Sequence, residues 1–301
     1  MGTISAPQEL FSCGVQLDEA YIGSICETSR EASLPVMRER MEADGYLLLR
    51  GLLDPDKVLA ARRRVLEQLV DQLDPEEAMM AGVPRRGTKL YFQPELAQKN
   101  NPELQELLYD ERGELMQFFA RFLTGPVRHF DFTWLRCISP GPGTPSHCDI
   151  VYMGRGTRQL YTTWVPLGRA DFETGGLMVL EGSHKNDKLR KTYGMRDVDS
   201  YCENRPADKA LTSNGYNGFL SEDSNKIRRQ LGSRWLVAEY EPGDVVVFCM
   251  DLVHGGLDNR SKRLRLSSDS RYQLASEPID ERWIGKNPRG HGTAGKRGRI
   301  C

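Results

Sequence analysis

The sequence predicts a mainly β protein, an antiparallel barrel or jelly roll flanked by helices. From about residue 128, short β-rich runs alternate with Gly, Pro and Asp, as strands and turns do. Before that point the apolar residues recur with helical spacing. A chain of 301 residues can also bury a substantial core within a single sheet-built domain. The β-rich runs are FDFTWLRCIS, LYTTWVPL, GGLMVLEGS, RWLVAEY, GDVVVFCM and RLRLSSDSRYQL.

Two helices are predicted in the N-terminal third. The run LPVMRERMEADGYLLLRG is typical of a helix that Gly45 stops, and a short apolar strand from Tyr46 to Leu49 follows it. In the next run, LLDPDKVLAARRRVLEQLVDQL, the apolar residues fall mainly on one helical face. Asp54 or Asp56 is placed to cap this second helix.

The chain is expected to form one domain with two appendages. The polar stretch of roughly 50 residues between Ser183 and Trp235 far exceeds the usual loop of about 4 to 6 residues, so it is predicted to be an active-site lid. The basic, glycine-rich C-terminus cannot bury apolar surface and is predicted to be flexible. The predicted parts are a mainly helical 1–127, a β core over 128–275 with a lid at about 184–234, and a C-terminal extension over 276–301.

Composition narrows the classes of partner and compartment. With 41 basic and 42 acidic residues, no overall field attracts nucleic acid or an anionic membrane, so neither is an expected partner, and the oligomeric state stays open. The seven cysteines are odd in number and form no CxxC pair, which argues against a disulfide framework and a zinc ribbon. The N-terminus lacks the features of a secretory signal, and no run reaches the ~20 apolar residues of a membrane span. A cytoplasmic protein is the expectation.

Three residues form a candidate metal site. In SPGPGTPSHCDIVYMGRG, His147 and Asp149 stand two apart at the end of an apparent strand, where alternation would point both to one face. Such a pair is weak evidence alone. His254, after the apolar strand in GDVVVFCMDLVHGG, is a third candidate from a strand beside the first. Two histidines and one carboxylate leave positions open and suit Fe(II), which must bind a bidentate cosubstrate and then O2. A structural zinc site would be closed and richer in cysteine.

An arginine predicts the cosubstrate. Arg265 lies eleven residues after His254 on a new strand, and Ser267 shares its face. A guanidinium facing a barrel interior needs an anion, such as the distal carboxylate of 2-oxoglutarate, and the Ser267 hydroxyl is a further donor. Arg263 has the same parity, so the pattern alone leaves the choice between the two arginines open.

These segments resemble the phytanoyl-CoA dioxygenase family of Fe(II)- and 2-oxoglutarate-dependent oxygenases in order and spacing, over residues 45–275. The resemblance rests on HCD at 147–149, YTTWVPL, ETGGLMVLEGSHK, GDVVVFCMDLVHGG and NRSKRLRLSSDSRYQ. It implies a double-stranded β-helix core, with His147, Asp149 and His254 as metal ligands and catalytic residues. It also favours Arg265 over Arg263 for binding 2-oxoglutarate. Further cosubstrate-side positions implied by the resemblance are Trp164, Trp134, Tyr152 and, in a looser register, Lys89.

The resemblance implies hydroxylation of an unactivated carbon in a small molecule, coupled to decarboxylation of 2-oxoglutarate to succinate and CO2. The carboxylate of Asp149 favours hydroxylation over halogenation, because related halogenases replace it with a small residue. Desaturation, epoxidation and rearrangement stay open, and a specialised metabolite is the preferred substrate. Two alternatives remain: a cupin-like metalloenzyme that works without 2-oxoglutarate, and a non-catalytic binding or sensor protein.

Overall fold

The computed structural model describes residues 9–98, 100–199 and 218–291. Within these ranges the strands are β1 (Phe11–Ser12), β2 (Val15–Gln16), β3 (Ile22–Ser24), β4 (Tyr46–Leu49), β5 (Val127–His129), β6 (Trp134–Ile138), β7 (Tyr161–Pro166), β8 (Leu177–Leu180), β9 (Trp235–Val237), β10 (Val245–Cys249), β11 (His254–Gly256) and β12 (Arg265–Leu274). The helices are α1 (Leu34–Asp44), α2 (Pro55–Gln68), α3 (Glu95–Gln98), α4 (Pro102–Tyr109), α5 (Glu114–Leu123), α6 (Ile150–Met153), α7 (Asp187–Lys191) and α8 (Ser224–Leu231).

Two sheets form the centre of the fold. The larger runs in the order β4-β10-β7-β12-β5, and β6 also pairs with β12. The smaller runs in the order β11-β8-β9-β3, and its β3–β9 pair is parallel. The other pairs in both sheets are antiparallel. This arrangement confirms the predicted mainly β fold with flanking helices.

The larger sheet separates two layers of core because its side chains alternate. On β10, Val245 and Val247 pack against the helical layer of α1, α2, α4 and α5. Val246 and Phe248 point the other way and pack with residues of the smaller sheet. The long strand β12 follows the same rule, since Leu266 and Tyr272 join the helical layer. Its alternate positions, beginning with Arg265, therefore face the space between the sheets.

The predicted helix boundaries near the N-terminus are confirmed. α1 ends at Gly45, which adopts a left-handed conformation with φ 80° that a glycine accepts without strain. The Asp54 side chain accepts a hydrogen bond from the Asp56 N–H and caps α2. The strand predicted from Tyr46 to Leu49 is also present, as β4 at an edge of the larger sheet, whereas β3, which joins the smaller sheet, was not predicted.

The lid and the tail are only partly within the described residues. The described part of the predicted lid contains α7 and α8, whereas residues 200–217 lie outside the described ranges. Of the C-terminal extension, the structure describes the chain up to His291. The role of the first segment as an active-site lid and the flexibility of the C-terminal tail stay predictions.

Replacing Leu47 with Ala tests the core between the larger sheet and the helices. Leu47 on β4 is fully buried among residues of α1 and α2. The cavity left by Leu47→Ala should lower the free energy of unfolding by about 2–5 kcal/mol. Val36→Ala is the control, because this α1 side chain is 43% exposed and should change the value by at most about 0.5 kcal/mol. Denaturant unfolding measures both, and equal effects would contradict the layer arrangement.

Candidate metal centre

Backbone pairing at the β11 edge of the smaller sheet brings the candidate histidines together. His254 begins β11, and His147 forms an isolated antiparallel bridge with it. Each residue's N–H donates to the other's carbonyl oxygen at 2.9 Å. Directly opposed residues on antiparallel strands place their side chains on the same face. The two imidazoles therefore meet, with ring centroids 4.3 Å apart.

Asp149 reaches the same point by a different route from the predicted one. The strand expected at 147–149 is limited to bridges at Ser146 and His147, and Asp149 lies in helical conformation as the N-cap of α6. The side chains of His147 and Asp149 converge because the chain turns into a helix, and the prediction from strand alternation was wrong on this point. The intervening Cys148 is buried, and its thiol donates to the Asp251 carbonyl oxygen at 3.4 Å.

The donor atoms of the triad are close enough to share one ion. Oδ1 of Asp149 lies 3.8 Å from Nε2 of His147 and 3.7 Å from Nε2 of His254. One ligand atom from each of the three buried residues falls within 4.8 Å of the others. Nδ1 of His147 donates to the Pro145 carbonyl at 2.7 Å, and Nδ1 of His254 donates to that of Leu252 at 3.0 Å. These bonds fix the tautomer that leaves both Nε2 lone pairs free for a metal.

Electrostatics keep all three groups in the protonation state that a metal ligand needs. Burial, and then the neighbouring His254, lower the pKa of His147 to about 3. Burial also lowers the pKa of His254. Burial alone would raise the pKa of Asp149, but the Arg271 guanidinium and the two histidines outweigh it and hold that pKa below its usual range. At neutral pH the site therefore offers two neutral imidazoles and one carboxylate.

The second oxygen of Asp149 is already engaged by the protein. The Thr162 hydroxyl and Nη2 of Arg271 both donate to Oδ2, the latter at 2.9 Å. Only Oδ1 is left facing the histidines. A set of two nitrogen donors and one oxygen donor fits a non-haem Fe(II) site.

A cavity next to the triad contains an arginine that needs an anion. Arg265 is 4% exposed, and its Nη1 donates to the Ser267 hydroxyl at 3.2 Å. Its Nε finds no hydrogen-bond partner among the described residues. Burial, and then the nearby Arg136, lower the pKa of Arg265 to about 10, so it stays charged at neutral pH. The described lining residues are Arg136, Thr144, His147, Trp164, Leu177, His254, Gly255, Gly256, Arg265 and Asp269.

The structure distinguishes the two arginines that parity could not. Arg263 precedes β12 and is partly exposed, and its Nη2 lies 3.2 Å from Oδ2 of Asp171. Its Nη2 also donates to the Thr174 hydroxyl at 3.3 Å. Arg263 is thus satisfied outside the cavity, whereas Arg265 lies on the cavity wall.

The remaining predicted residues occupy different places. Trp164 lines the cavity and packs edge-on against Tyr240, with centroids 4.7 Å apart. The Tyr152 ring lies 5.6 Å from the His147 ring. Trp134 is not among the described lining residues of the cavity and stacks on Arg271. The Lys89 side chain is exposed, and the structure does not bring it to the cavity.

Sequence reasoning missed several residues around the triad. Thr162 and Arg271 hold Asp149, and Asp269 accepts a 2.9 Å hydrogen bond from Nε of Arg136. Strand alternation could have identified two of them, because Asp269 and Arg271 lie on the same face of β12 as Arg265. Thr162 likewise shares the parity of Trp164 on β7.

The comparisons with known proteins agree with this geometry. Residues 41–267 match the phytanoyl-CoA dioxygenase family. The chain belongs to the phytanoyl-CoA dioxygenase family. The predicted class, a non-haem iron and 2-oxoglutarate-dependent oxygenase, is therefore confirmed, together with the expectation of iron and 2-oxoglutarate.

Individual relatives share only a minority of their residues with this chain. The chain is 26% identical over 246 residues to the 1-deoxypentalenic acid 11-beta-hydroxylase of Streptomyces exfoliatus, covering 77% of this chain and 78% of that one. The fold of this chain resembles that of the non-heme alpha ketoglutarate dependent carbocyclase SnoK from nogalamycin biosynthesis. The TM-score is 0.59 and the identity 17%, and the match covers 85% of this chain and 90% of SnoK. The fold also resembles EctD from S. alaskensis, crystallised with 2-oxoglutarate and 5-hydroxyectoine. The TM-score is 0.56 and the identity 17%, and the match covers 91% of this chain and 89% of that one. These neighbours confirm the jelly-roll fold of this family member.

Among the helices of the described residues, none has the length and apolar character required to cross a bilayer.

His254→Ala tests the triad in this family member. Loss of one of three protein ligands should abolish stoichiometric Fe(II) binding, because two ligands hold the ion too weakly to survive desalting. Iron content after anaerobic reconstitution and gel filtration measures the effect. His184→Ala is the control, since this half-buried histidine bonds the Glu42 carbonyl away from the triad. Wild-type iron content in His254→Ala would exclude that residue as a ligand.

Proposed function

We propose that this protein hydroxylates an unactivated carbon of a small molecule, coupled to decarboxylation of 2-oxoglutarate to succinate and CO2. The observation that carries the proposal is the buried, charged Arg265 on the wall of the cavity that also exposes His147 and His254. A triad without such a cation would suit many metal enzymes. The cation adds a requirement for an anionic ligand beside the metal.

In this proposal the triad holds Fe(II) through Nε2 of each histidine and Oδ1 of Asp149. Bound iron supplies the activation of O2 that attack on an unactivated C–H bond requires. The protein itself positions the ligands and excludes water from the site. All three ligands are buried, and backbone carbonyls fix both imidazole rings, so the three donor atoms are already gathered at one place.

Arg265 would bind the distal carboxylate of 2-oxoglutarate. Its guanidinium fork matches a carboxylate, and the buried Nε that lacks a partner among described groups would gain one. Ser267 orients the fork through its hydrogen bond with Nη1. Trp164 supplies a flat apolar wall to the same cavity and would restrict the cosubstrate to one orientation.

The substrate proposed is a specialised metabolite of low molecular mass. Support comes from the relative that hydroxylates 1-deoxypentalenic acid, a small molecule, and from an even charge balance of 41 basic and 42 acidic residues that favours no polymeric anion. We also propose a cytoplasmic location. The five cysteines within the described residues are all free, as expected in a reducing compartment.

Anaerobic spectroscopy tests the proposed function against a metalloenzyme that does not use 2-oxoglutarate. Fe(II) and 2-oxoglutarate are added to the protein under nitrogen, and the visible charge-transfer band of the chelate is recorded. The proposal predicts that the band appears with both components and is absent with either alone. Succinate formed in air with a panel of small organic acids then identifies turnover. No band at saturating Fe(II) and 2-oxoglutarate would contradict the proposal.

Arg265→Ala should weaken 2-oxoglutarate binding while leaving Fe(II) binding intact. The variant removes a charge-assisted pair at a buried site, for which a loss of at least about 2–5 kcal/mol is typical. Titration of the charge-transfer band gives the dissociation constant. Arg263→Ala is the matched control, because that arginine pairs with Asp171 outside the cavity. Equal affinities in the two variants would remove the assigned role of Arg265.

A further inference from the structure

Arg271 is the buried cation closest to the candidate iron ligands. It lies on β12 and contacts Asp149, with Nη2 2.9 Å from Oδ2, and both side chains are 3% exposed. Within the sheet, Arg271 is opposite Thr162 on β7. The two residues that bind Oδ2 are thus cross-strand neighbours, and they hold that oxygen from one rigid surface.

The rest of the Arg271 guanidinium is closed off by an aromatic ring. Its Cζ lies 3.9 Å from the centroid of the Trp134 ring, a close cation–π contact. Its Nε and Nη1 are buried from solvent and have no hydrogen-bond partner among the described residues. A side chain so enclosed offers no surface to a substrate. Its Nη2 is already used by Asp149, and its charge lies buried beside the candidate metal ligands.

The pairing of charged residues between the sheets explains the effect of the contact between Arg271 and Asp149. Three arginines face this space, of which Arg265 and Arg271 are buried and Arg136 is 17% exposed, together with the buried Asp149 and Asp269. Nε of Arg136 pairs with Oδ2 of Asp269 at 2.9 Å, and Arg271 pairs with Asp149. Arg265 is left without a carboxylate partner among the described residues. Arg271 therefore compensates the metal carboxylate and leaves Arg265 for an external anion.

We propose that Arg271 is a positioning residue of the iron centre, which restricts Asp149 to one-oxygen ligation through Oδ1 and raises the Fe(III)/Fe(II) potential through its charge. The inference rests on the proposed function, since it assumes that the triad binds iron. Restriction to Oδ1 follows because Thr162 and Arg271 occupy Oδ2. A carboxylate that bound through both oxygens would consume a position that the bidentate cosubstrate needs.

The effect on the potential has a definite sign. A fixed positive charge close to the metal disfavours the more highly charged ferric state, most strongly where water is excluded. Removing that charge should stabilise Fe(III) and make the midpoint potential more negative. Trp134 contributes by keeping the guanidinium in place without competing for its Asp149 hydrogen bond.

Three variants separate the charge from the hydrogen bond and from packing. Arg271→Lys keeps the charge, whereas Arg271→Gln keeps an N–H donor and removes the charge. Thr162→Val is the matched control, because it removes the other hydrogen bond to Oδ2 without changing any charge. Each iron-loaded variant is titrated electrochemically for its Fe(III)/Fe(II) midpoint potential. Circular dichroism and thermal unfolding establish that it is folded.

The proposal predicts a clearly more negative potential in Arg271→Gln, and values nearer wild type in Arg271→Lys and Thr162→Val. A wild-type potential in Arg271→Gln would overturn it, as would an equal fall in all three variants, which would indicate general disturbance. If Arg271→Gln folds but retains no iron, Arg271→Lys decides. A potential near the wild-type value would support the charge role, and one clearly more negative than in Thr162→Val would overturn it. Iron binding by the wild-type protein tests the proposed function separately.

Discussion

The antiparallel bridge between His147 and His254 is the contact on which the site depends. Its two hydrogen bonds, each 2.9 Å, join segments that are far apart in the chain and set the two imidazoles side by side. The backbone carbonyls of Pro145 and Leu252 then fix both rings. Because the metal-facing nitrogens are positioned by main chain, the geometry belongs to the fold and does not depend on surface side chains.

Because side chains alternate along β12, this strand places charged residues in the space between the two sheets, beside the triad. One side of the strand packs into the helical layer, and the other presents Arg265, Asp269 and Arg271 between the sheets. Two of the three inward arginines of this space have carboxylate partners, and Arg265 has none among the described residues. Burial makes an uncompensated charge costly, so the protein is arranged to gain stability when an anion binds there. Binding of the anionic cosubstrate would therefore also balance the charge of Arg265 on this strand.

The sequence predicted the strands of the core, the helix ends at Gly45 and Asp54, and the residues that meet at the triad, because periodicity, turn residues and ligand types are local signals. It did not predict that Asp149 begins a helix, since two residues of spacing fit a strand equally well. Parity could not separate Arg263 from Arg265; the separation came from Asp171, a partner distant in the chain. The support of Asp149 by Thr162 and Arg271 likewise arises only when β7 pairs with β12.

The central claim is that two imidazoles and one carboxylate share a single iron ion. X-ray absorption at the iron K-edge of the Fe(II) protein with 2-oxoglutarate measures this directly. If the three side chains share the ion, the spectrum shows a shell of nitrogen and oxygen ligands with the outer-shell scattering of two imidazoles. A sulfur ligand at about 2.3 Å, the distance typical of metal–thiolate bonds, or scattering from fewer than two imidazoles would contradict it.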